Sequence, residues 1–187
     1  GIRHDKGDSR RGAREDWDPC VFLARVLQYL ETPQYLRKTL IPRHKDLRFA
    51  GLLNPLDTPH HMRIDDDTPY REGVVLNRPT KAGAGSFVNA GMRQEVQIDK
   101  ALPAGVRVTV QLDKEASTKK VVRGKAVPPS QPRADGHYWG YSVRIAGSIG
   151  DVFARCPYEG GYDLTLGTSE RGTSSVDDPS FTLPKFK

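Results

Sequence analysis

The sequence is poor in the residues that build disulfide frameworks and metal sites. It has two cysteines, Cys20 and Cys156, in 187 residues, and they form no CxxC pair. Both lie among apolar neighbours, so we expect buried free thiols, and a disulfide would require an oxidising compartment. We expect no metal site either, because His60 and His61 have no thiolate partners at zinc-ligand spacing.

Long apolar runs are also missing. Hydrophobic residues make up 36% of the chain and charged residues 28%. No run is long enough to span a bilayer, so we expect no membrane partner. The chain shows no signal-peptide core, which gives no reason to expect secretion and favours an intracellular protein.

Positive charge outweighs negative charge. The 29 Lys and Arg against 23 Asp and Glu give a formal net charge of +6. This balance suits a polyanionic partner such as nucleic acid, although charge alone identifies no site. Residues 1–17 mix both signs with little apolar content, which predicts a flexible arm, either a solvated linker or a phosphate contact.

Helix signals come first along the chain. Asp18-Pro19 predicts a helix start, and apolar residues recur at steps of three and four over residues 22–30. Thr32-Pro33 starts a second, shorter helix. The cations at 37–45 gather at its end, where the helix dipole accounts for them without a ligand. Residues 47–53 predict a strand.

The hydrophobic period changes to two after the acidic run at 65–67, which we interpret as a domain boundary. Five alternating segments are separated by turns rich in Gly, Pro, Asp and Lys. This spacing predicts a small closed barrel, of which the OB type is one common form. The predicted strands are residues 72–77, 86–99, 106–112, 121–127 and 138–145.

After the barrel, residues 148–155 predict a short helix and residues 162–166 a strand. The predicted fold class is therefore α/β with an inserted all-β, OB-like barrel. The predicted divisions are an arm at 1–17, a first α/β part at 18–67, the barrel at 68–147 and a second, incomplete α/β part at 148–187.

Six strings in order carry a resemblance to a known family. Together they resemble the eukaryotic SPOUT-class (α/β-knot) RNA methyltransferases, in the branch that has an OB-like insert and a human member linked to the spindle and centromere. The resemblance runs from about residue 21 to 172. It implies that the chain is the middle portion of such an enzyme, lacking the C-terminal knot. The strings are FLARVLQYLETPQYLRK (22–38), GLLNPLDTPHH (51–61), REGVV (71–75), SFVNAG (86–91), YWGY (138–141) and TLGTSERG (165–172).

The resemblance also implies what the whole enzyme does. It implies S-adenosylmethionine as methyl donor, structured RNA (ribosomal RNA above all) as substrate, and a nuclear or nucleolar location. It implies a homodimer or paired heterodimer formed through the knot region. In the family, the arginine that matches Arg171 lies against the methyl donor. The cofactor-binding residues expected here are Gly167, Thr168, Ser169, Glu170, Arg171 and Gly172.

The residue types of this segment suit a ligand. Its glycines allow close approach of the backbone, and Arg171 can hold a carboxylate or a phosphate with two hydrogen bonds. Without the resemblance, the same string would be a surface turn with a salt-bridged arginine. The catalytic residues stay unidentified at this point.

A second polar cluster contains Asn54, Asp57, His60 and His61. A histidine could act as a base, because its pKa lies near neutrality. The alternative is a structured loop in which Asp57 caps a turn and the histidines bond to the backbone. Adjacent side chains on an extended segment point to opposite faces, so we expect the two imidazoles to diverge.

The barrel supplies the expected RNA contacts. Aromatic side chains can stack on exposed bases, and dispersed cations can follow the phosphate backbone. We expect at least one residue of Tyr138, Trp139 and Tyr141 to lie in the core. The candidate RNA-binding residues are Arg93, Arg107, Arg123, Lys125, Tyr138, Tyr141 and Arg144.

Three functions are compatible with these patterns. The first is part of an RNA methyltransferase whose barrel grips RNA. The second is an RNA-binding ribosome-assembly factor that has lost methyl transfer, and donor binding separates it from the first. The third is a protein-interaction module of the spindle or centromere, for which RNA would be dispensable.

Overall fold

The computed structural model describes residues 18–81, 83–113 and 122–186. The chain divides into two units between Arg144 and Ile145, and each is described by itself. The predicted arm at residues 1–17 lies outside the described residues.

The first unit begins with two helices, α1 (Pro19–Glu31) and α2 (Gln34–Leu40). The Asp18 carboxylate caps α1 and accepts a 2.7 Å hydrogen bond from the main-chain N–H of Cys20. This confirms the start predicted from Asp18-Pro19, because the carboxylate satisfies an N–H that has no partner inside the helix.

The strand predicted at residues 47–53 is wrong. The segment contains two short 3₁₀ helices, Lys45–Leu47 and Ala50–Leu52. The His44 imidazole accepts a hydrogen bond from the main-chain N–H of Asp46 at 3.2 Å and starts the first of them. Leu52 is 83% exposed, so the apolar side chains that suggested a buried strand pack in no sheet.

A closed five-stranded barrel follows, which confirms the predicted all-β element. The strands run in the order β1-β2-β3-β5-β4, and β4 closes the circle against β1. Strands β3 and β5 are parallel, and the other neighbours are antiparallel. The strands are β1 (Tyr70–Val75), β2 (Phe87–Asn89), β3 (Val96–Ile98), β4 (Arg107–Leu112) and β5 (Val122–Val127).

Alternation along the strands builds the barrel interior. In β5, Val122 and Ala126 are buried, whereas Arg123 and Lys125 are exposed on the opposite face. Small β-branched side chains fill a narrow barrel well, because they are rigid and pack on a pleated surface. The core consists of Val75, Val88, Ala90, Val96, Ile98, Val108, Val110, Val122 and Ala126.

Glycines account for two differences from the predicted strands. The predicted strand at 86–99 is two strands, because Gly91 takes a left-handed φ of +68° and its N–H donates to the Asn89 side chain. The strand predicted at 138–145 is wrong. Gly136 and Gly140 have φ values of +84° and +68°, which interrupt an extended backbone. A short helix that was not predicted, α3 (Ser130–Ala134), precedes this segment.

The second unit has little regular structure. Helix α4 (Ile149–Ala154) confirms the helix predicted at 148–155, and the Ser148 hydroxyl caps it. The strand predicted at 162–166 is wrong, since none of the described residues from 145 to 186 forms a strand. Both cysteines are free, as expected, but neither is buried: Cys20 is exposed and Cys156 is half-buried.

The close packing of Gly124 in β5 against β4 can be tested by substitution. A Cβ on Gly124 would lie 2.6 Å from the carbonyl oxygen of Gln111 and from Cγ1 of Val110. We expect Gly124→Ala to lower the free energy of unfolding by about 1–3 kcal/mol, as overpacking does. Gly51→Ala is the control, because a Cβ there meets nothing within 4 Å. Urea unfolding followed by circular dichroism measures both, and equal midpoints would contradict this packing.

Candidate functional site

Two of the predicted RNA-binding cations lie on the outer face of the barrel. Arg123 and Lys125 are exposed on β5 and separated by one inward residue. Arg93 is also exposed, and its guanidinium donates to the Asp65 carboxylate at 3.0 and 3.1 Å. An exposed pair of this kind is weak, so Arg93 can still exchange its partner for a phosphate.

Arg107 has a different environment from Arg123. Its guanidinium lies between two carboxylates: Nε is 2.6 Å from Glu72, and the two Nη atoms are 2.7 and 3.0 Å from Glu31. Burial alone would lower the pKa of Arg107, but the carboxylates raise it above its usual value. A phosphate would have to displace both partners, so we remove Arg107 from the RNA-binding set.

The two carboxylates belong to a larger polar network, the Glu31 cluster, defined as Glu31, His60, Glu72, Arg107 and Trp139. The Trp139 indole N–H donates to the Glu72 carboxylate and lies 3.2 Å from the Thr109 hydroxyl. Glu72 and Thr109 are opposite each other in the β1–β4 pair, which places both under the indole. Trp139 is 5% exposed, which confirms that one residue of this aromatic group is core.

The adjacent histidines converge, contrary to the expectation that they diverge. Nε2 of His60 lies 3.0 Å and Nε2 of His61 lies 2.7 Å from the main-chain oxygen of Glu31. They converge because residues 58–61 form a turn, closed by a hydrogen bond from the N–H of His61 to the oxygen of Thr58. Burial lowers the pKa of His61, so it is neutral at pH 7.

His60 is 1% exposed and is therefore placed as a structural residue and not as a base. Its Nε2 also lies 3.3 Å from the Glu31 carboxylate. The imidazole thus helps to hold the end of α1. This geometry favours the structured-loop interpretation of residues 54–61, because a base needs access to its substrate.

The electrostatics of Glu31 show what holds the cluster together. Burial alone would raise the pKa of this carboxyl, but hydrogen bonds from His60 and Arg107, with the charge of Arg107, lower it to about 2. Glu31 therefore stays ionised throughout the neutral range. The cluster joins the end of α1 to strands β1 and β4.

Sequence patterns missed Glu31 and Glu72, although Glu31 carried a signal. It follows Leu27 by four residues and so continues the apolar face of α1. An acidic residue on an apolar helix face indicates a buried, paired charge.

The remaining aromatic candidates differ in exposure. Tyr138 is 48% exposed and can present its ring to a base. Tyr141 is half-buried, and its hydroxyl donates to the main-chain oxygen of Leu27 at 2.8 Å. Arg144 is exposed near the end of the same segment. On this stretch of chain Tyr138 and Arg144 are therefore exposed and Tyr141 is half-buried, whereas Trp139 is buried.

The predicted cofactor segment, residues 167–172, lies in the second unit and is exposed along its length. The Ser169 main-chain and hydroxyl oxygens accept hydrogen bonds from the N–H groups of Gly172 and Arg171, each at 3.1 Å. A concave surface of about 820 Å³ in this unit is lined by residues on both sides of the segment in sequence, among them Tyr162, Leu166 and Leu183, but by none of the six predicted residues.

Residues 18–81, 83–113 and 122–186 contain neither a metal-binding group nor a membrane-spanning helix. No group of three or more His, Cys, Asp or Glu side chains is arranged to hold a metal ion there. No helix in these ranges has the length and apolar character to cross a bilayer.

The Glu31 cluster predicts a specific pH dependence. The pKa of Glu31 is lower in the folded chain than its usual 4.5, so its stabilisation is fully present above about pH 4.5 and is lost as the pH falls toward 2. We expect Glu31→Gln to lower the free energy of unfolding by about 3 kcal/mol at pH 7 and much less near pH 2. Urea unfolding across this pH range tests the difference.

The matched control for Glu31→Gln is Glu95→Gln. Glu95 pairs with Arg78 at the surface, where both side chains are more than 40% exposed. We expect it to change stability by less than about 1 kcal/mol at either pH. A Glu31→Gln deficit that is equal at pH 7 and pH 2 would contradict the proposed ionisation.

Comparison with known proteins identifies the family. The family described as "Putative RNA methyltransferase" matches residues 2–187. A 28S rRNA (uridine-N(3))-methyltransferase of Mus musculus is 55% identical over 179 residues, 95% of this chain and 46% of the relative. The Homo sapiens protein of the same name is 54% identical over 178 residues, which cover 94% of this chain and 46% of the relative. The Drosophila melanogaster protein of that name is 51% identical over 159 residues, which cover 84% of this chain and 33% of the relative. The chain spans about half the length of the mouse and human relatives, and it belongs to this family of RNA methyltransferases.

Proposed function

We propose that the full-length protein methylates N3 of a uridine in large-subunit ribosomal RNA. The observation that carries the proposal is the 55% identity over 95% of this chain with a 28S rRNA (uridine-N(3))-methyltransferase. The excess of positive charge agrees with an RNA substrate. A ribosomal RNA substrate points to action in the nucleus or nucleolus.

We also propose that the barrel is an OB-type insert in a SPOUT-class enzyme and that its outer face grips RNA. Closure, five strands and the strand order support the first part. The exposed positions of Arg123 and Lys125 support the second. The proposed RNA contacts are Arg93, Arg123, Lys125, Tyr138, Tyr141 and Arg144.

The methyl donor is proposed to be S-adenosylmethionine, which supplies a methyl group already activated on a sulfonium. Residues 167–172 suit one edge of its site, since Arg171 is exposed and its guanidinium matches a carboxylate. All six residues of this segment are exposed. A homodimer or paired heterodimer remains part of the proposal.

The activity is tested on the full-length protein. Large-subunit ribosomal RNA is incubated with the protein and S-adenosylmethionine, digested to nucleosides and analysed by mass spectrometry. We expect 3-methyluridine to form. Donor binding without any methylated nucleoside would contradict the activity, and the absence of donor binding would favour an RNA-binding assembly factor.

Arg171 has its own test in the full-length protein. We expect Arg171→Ala to weaken donor binding by about 1.5–3 kcal/mol, the contribution of a charged hydrogen bond. Arg155→Ala is the control, because Arg155 belongs to the same unit and its ion pair with Asp151, at 3.8 Å, is exposed. Calorimetric titration that gives both variants the wild-type affinity would remove Arg171 from the site.

The RNA grip of the barrel predicts a salt dependence. Each phosphate contact contributes about 0.7 to the log–log salt slope for a single strand, through counterion release. We expect Arg123→Ala/Lys125→Ala to reduce the slope by about 1.4. The control pair is Arg78→Ala/Lys81→Ala, two exposed cations outside the proposed contacts. Fluorescence anisotropy with a labelled uridine 20-mer measures the slope, and an unchanged slope in the barrel pair would exclude β5 from the grip.

A further inference from the structure

We propose a second RNA-binding surface, on the helical part of the first unit. It is a concave surface of about 670 Å³ at the end of α2, here called the basic groove. We infer that it binds RNA phosphates and that an unpaired base can stack at its edge. The inference rests on the proposed RNA substrate and adds a surface that is separate from the barrel strands.

The charge of the groove is of one sign. Five of its ten lining residues are Lys or Arg, and none is Asp or Glu. By contrast, the concave surface beside β3 contains Asp65, Asp66 and Asp67 with a single Arg93. A concave site lined by cations attracts and concentrates polyanions. The lining residues are Tyr29, Arg37, Lys38, Ile41, Pro42, Arg43, His44, Lys45, Leu47 and Arg48.

The one acidic residue between Lys45 and Arg48, Asp46, does not cancel this charge. Asp46 lies within the same stretch of chain, but its side chain is only 9% exposed and pairs with Arg25 of α1. The His44 imidazole lies 3.3 Å from the same carboxylate. Asp46 is therefore neutralised by a cation outside the groove. The pair also anchors the segment that carries the groove's cations.

The helix dipole accounts for only part of the cluster. Its influence falls off within the last turn, where Arg37 and Lys38 lie. Arg43, Lys45 and Arg48 follow the end of α2, and they are exposed. Within the described part of the chain, none of these three, nor Lys38, forms an ion pair with Asp or Glu. Cations that have no carboxylate partner among the described residues are available to phosphate.

An aromatic platform at the edge of the groove favours RNA over an acidic peptide. The Arg37 guanidinium lies over the Tyr29 ring, 4.3 Å from its centre. It is held there by hydrogen bonds to the main-chain oxygens of Thr32, at 2.8 Å, and Leu30, at 3.3 Å. Rings and guanidinium planes stack on unpaired bases, a contact that an acidic segment without aromatic residues cannot make.

The test compares RNA binding by variants of the 187-residue chain. The groove pair Arg43→Ala/Arg48→Ala is matched in charge by the control pair Arg78→Ala/Lys81→Ala. A labelled uridine 20-mer is titrated between 50 and 200 mM salt, with unlabelled polyglutamate as competitor. All four altered side chains are exposed, and thermal melting verifies that each variant folds.

We expect the groove pair to reduce the log–log salt slope by about 1.4 and the control pair to leave it unchanged. Adding Lys38→Ala and Lys45→Ala should bring the reduction to about 2.8. The affinity loss between 50 and 200 mM salt then shrinks by about 50-fold relative to wild type. We also expect Tyr29→Leu to weaken binding at every salt concentration without changing the slope.

Each other outcome has a distinct meaning. Wild-type RNA binding with an unchanged slope in the groove variants would overturn the groove and leave the proposed function intact. Polyglutamate could compete as strongly as unlabelled uridine 20-mer of the same charge, and Tyr29→Leu could have no effect. That result would assign the groove to an acidic protein segment and overturn the RNA proposal. A chain whose RNA binding is absent or independent of salt would overturn both the groove and the RNA grip of the barrel.

Discussion

The end of α1 is held against the barrel by one guanidinium between two carboxylates. Arg107 of β4 bonds to Glu72 of β1 and to Glu31 at the end of α1. Removing one partner of such a pair leaves the other charge buried without compensation, which commonly lowers the free energy of unfolding by about 3–5 kcal/mol. His60 and Trp139 close over the same carboxylates, so residues far apart in sequence share one polar centre.

The sequence predicted the barrel from alternation, which β2, β3 and β5 show in their burial, whereas β1 is buried along its whole length. In β5 the inward Val122 and Ala126 and the outward Arg123 and Lys125 follow the pleat without exception. The segment at 138–145 failed for the opposite reason. Its aromatic residues raise the strand propensity, but the left-handed φ of Gly140 and the burial of Trp139 against Glu72 and Thr109 override it. Local propensity cannot register a contact with a residue thirty or more positions away.

Long-range contacts that local sequence patterns cannot predict also decide which of the predicted cations remain candidate RNA contacts. Arg107 and Arg123 are alike in sequence, each on a strand beside apolar residues. Only the fold shows that Arg107 meets Glu31, 76 residues away. Sequence patterns attribute the cations after α2 to the helix dipole, whereas the fold places them around a groove, and Asp46 of the same segment pairs with Arg25. Charge type was predictable, but its partner was not.

The fold also pairs several of the carboxylates that lie near the proposed RNA contacts. Arg71 is fully buried and donates to the main-chain oxygens of Arg63 and Asp66, which fixes the acidic loop at 65–67. Asp65 then pairs with Arg93, and Asp46 pairs with Arg25. The exposed cations of β5 and of the basic groove belong to one compact unit, held in register by the Glu31 cluster. Their backbone positions are therefore set when the chain folds, and RNA binding has to order only the exposed side chains.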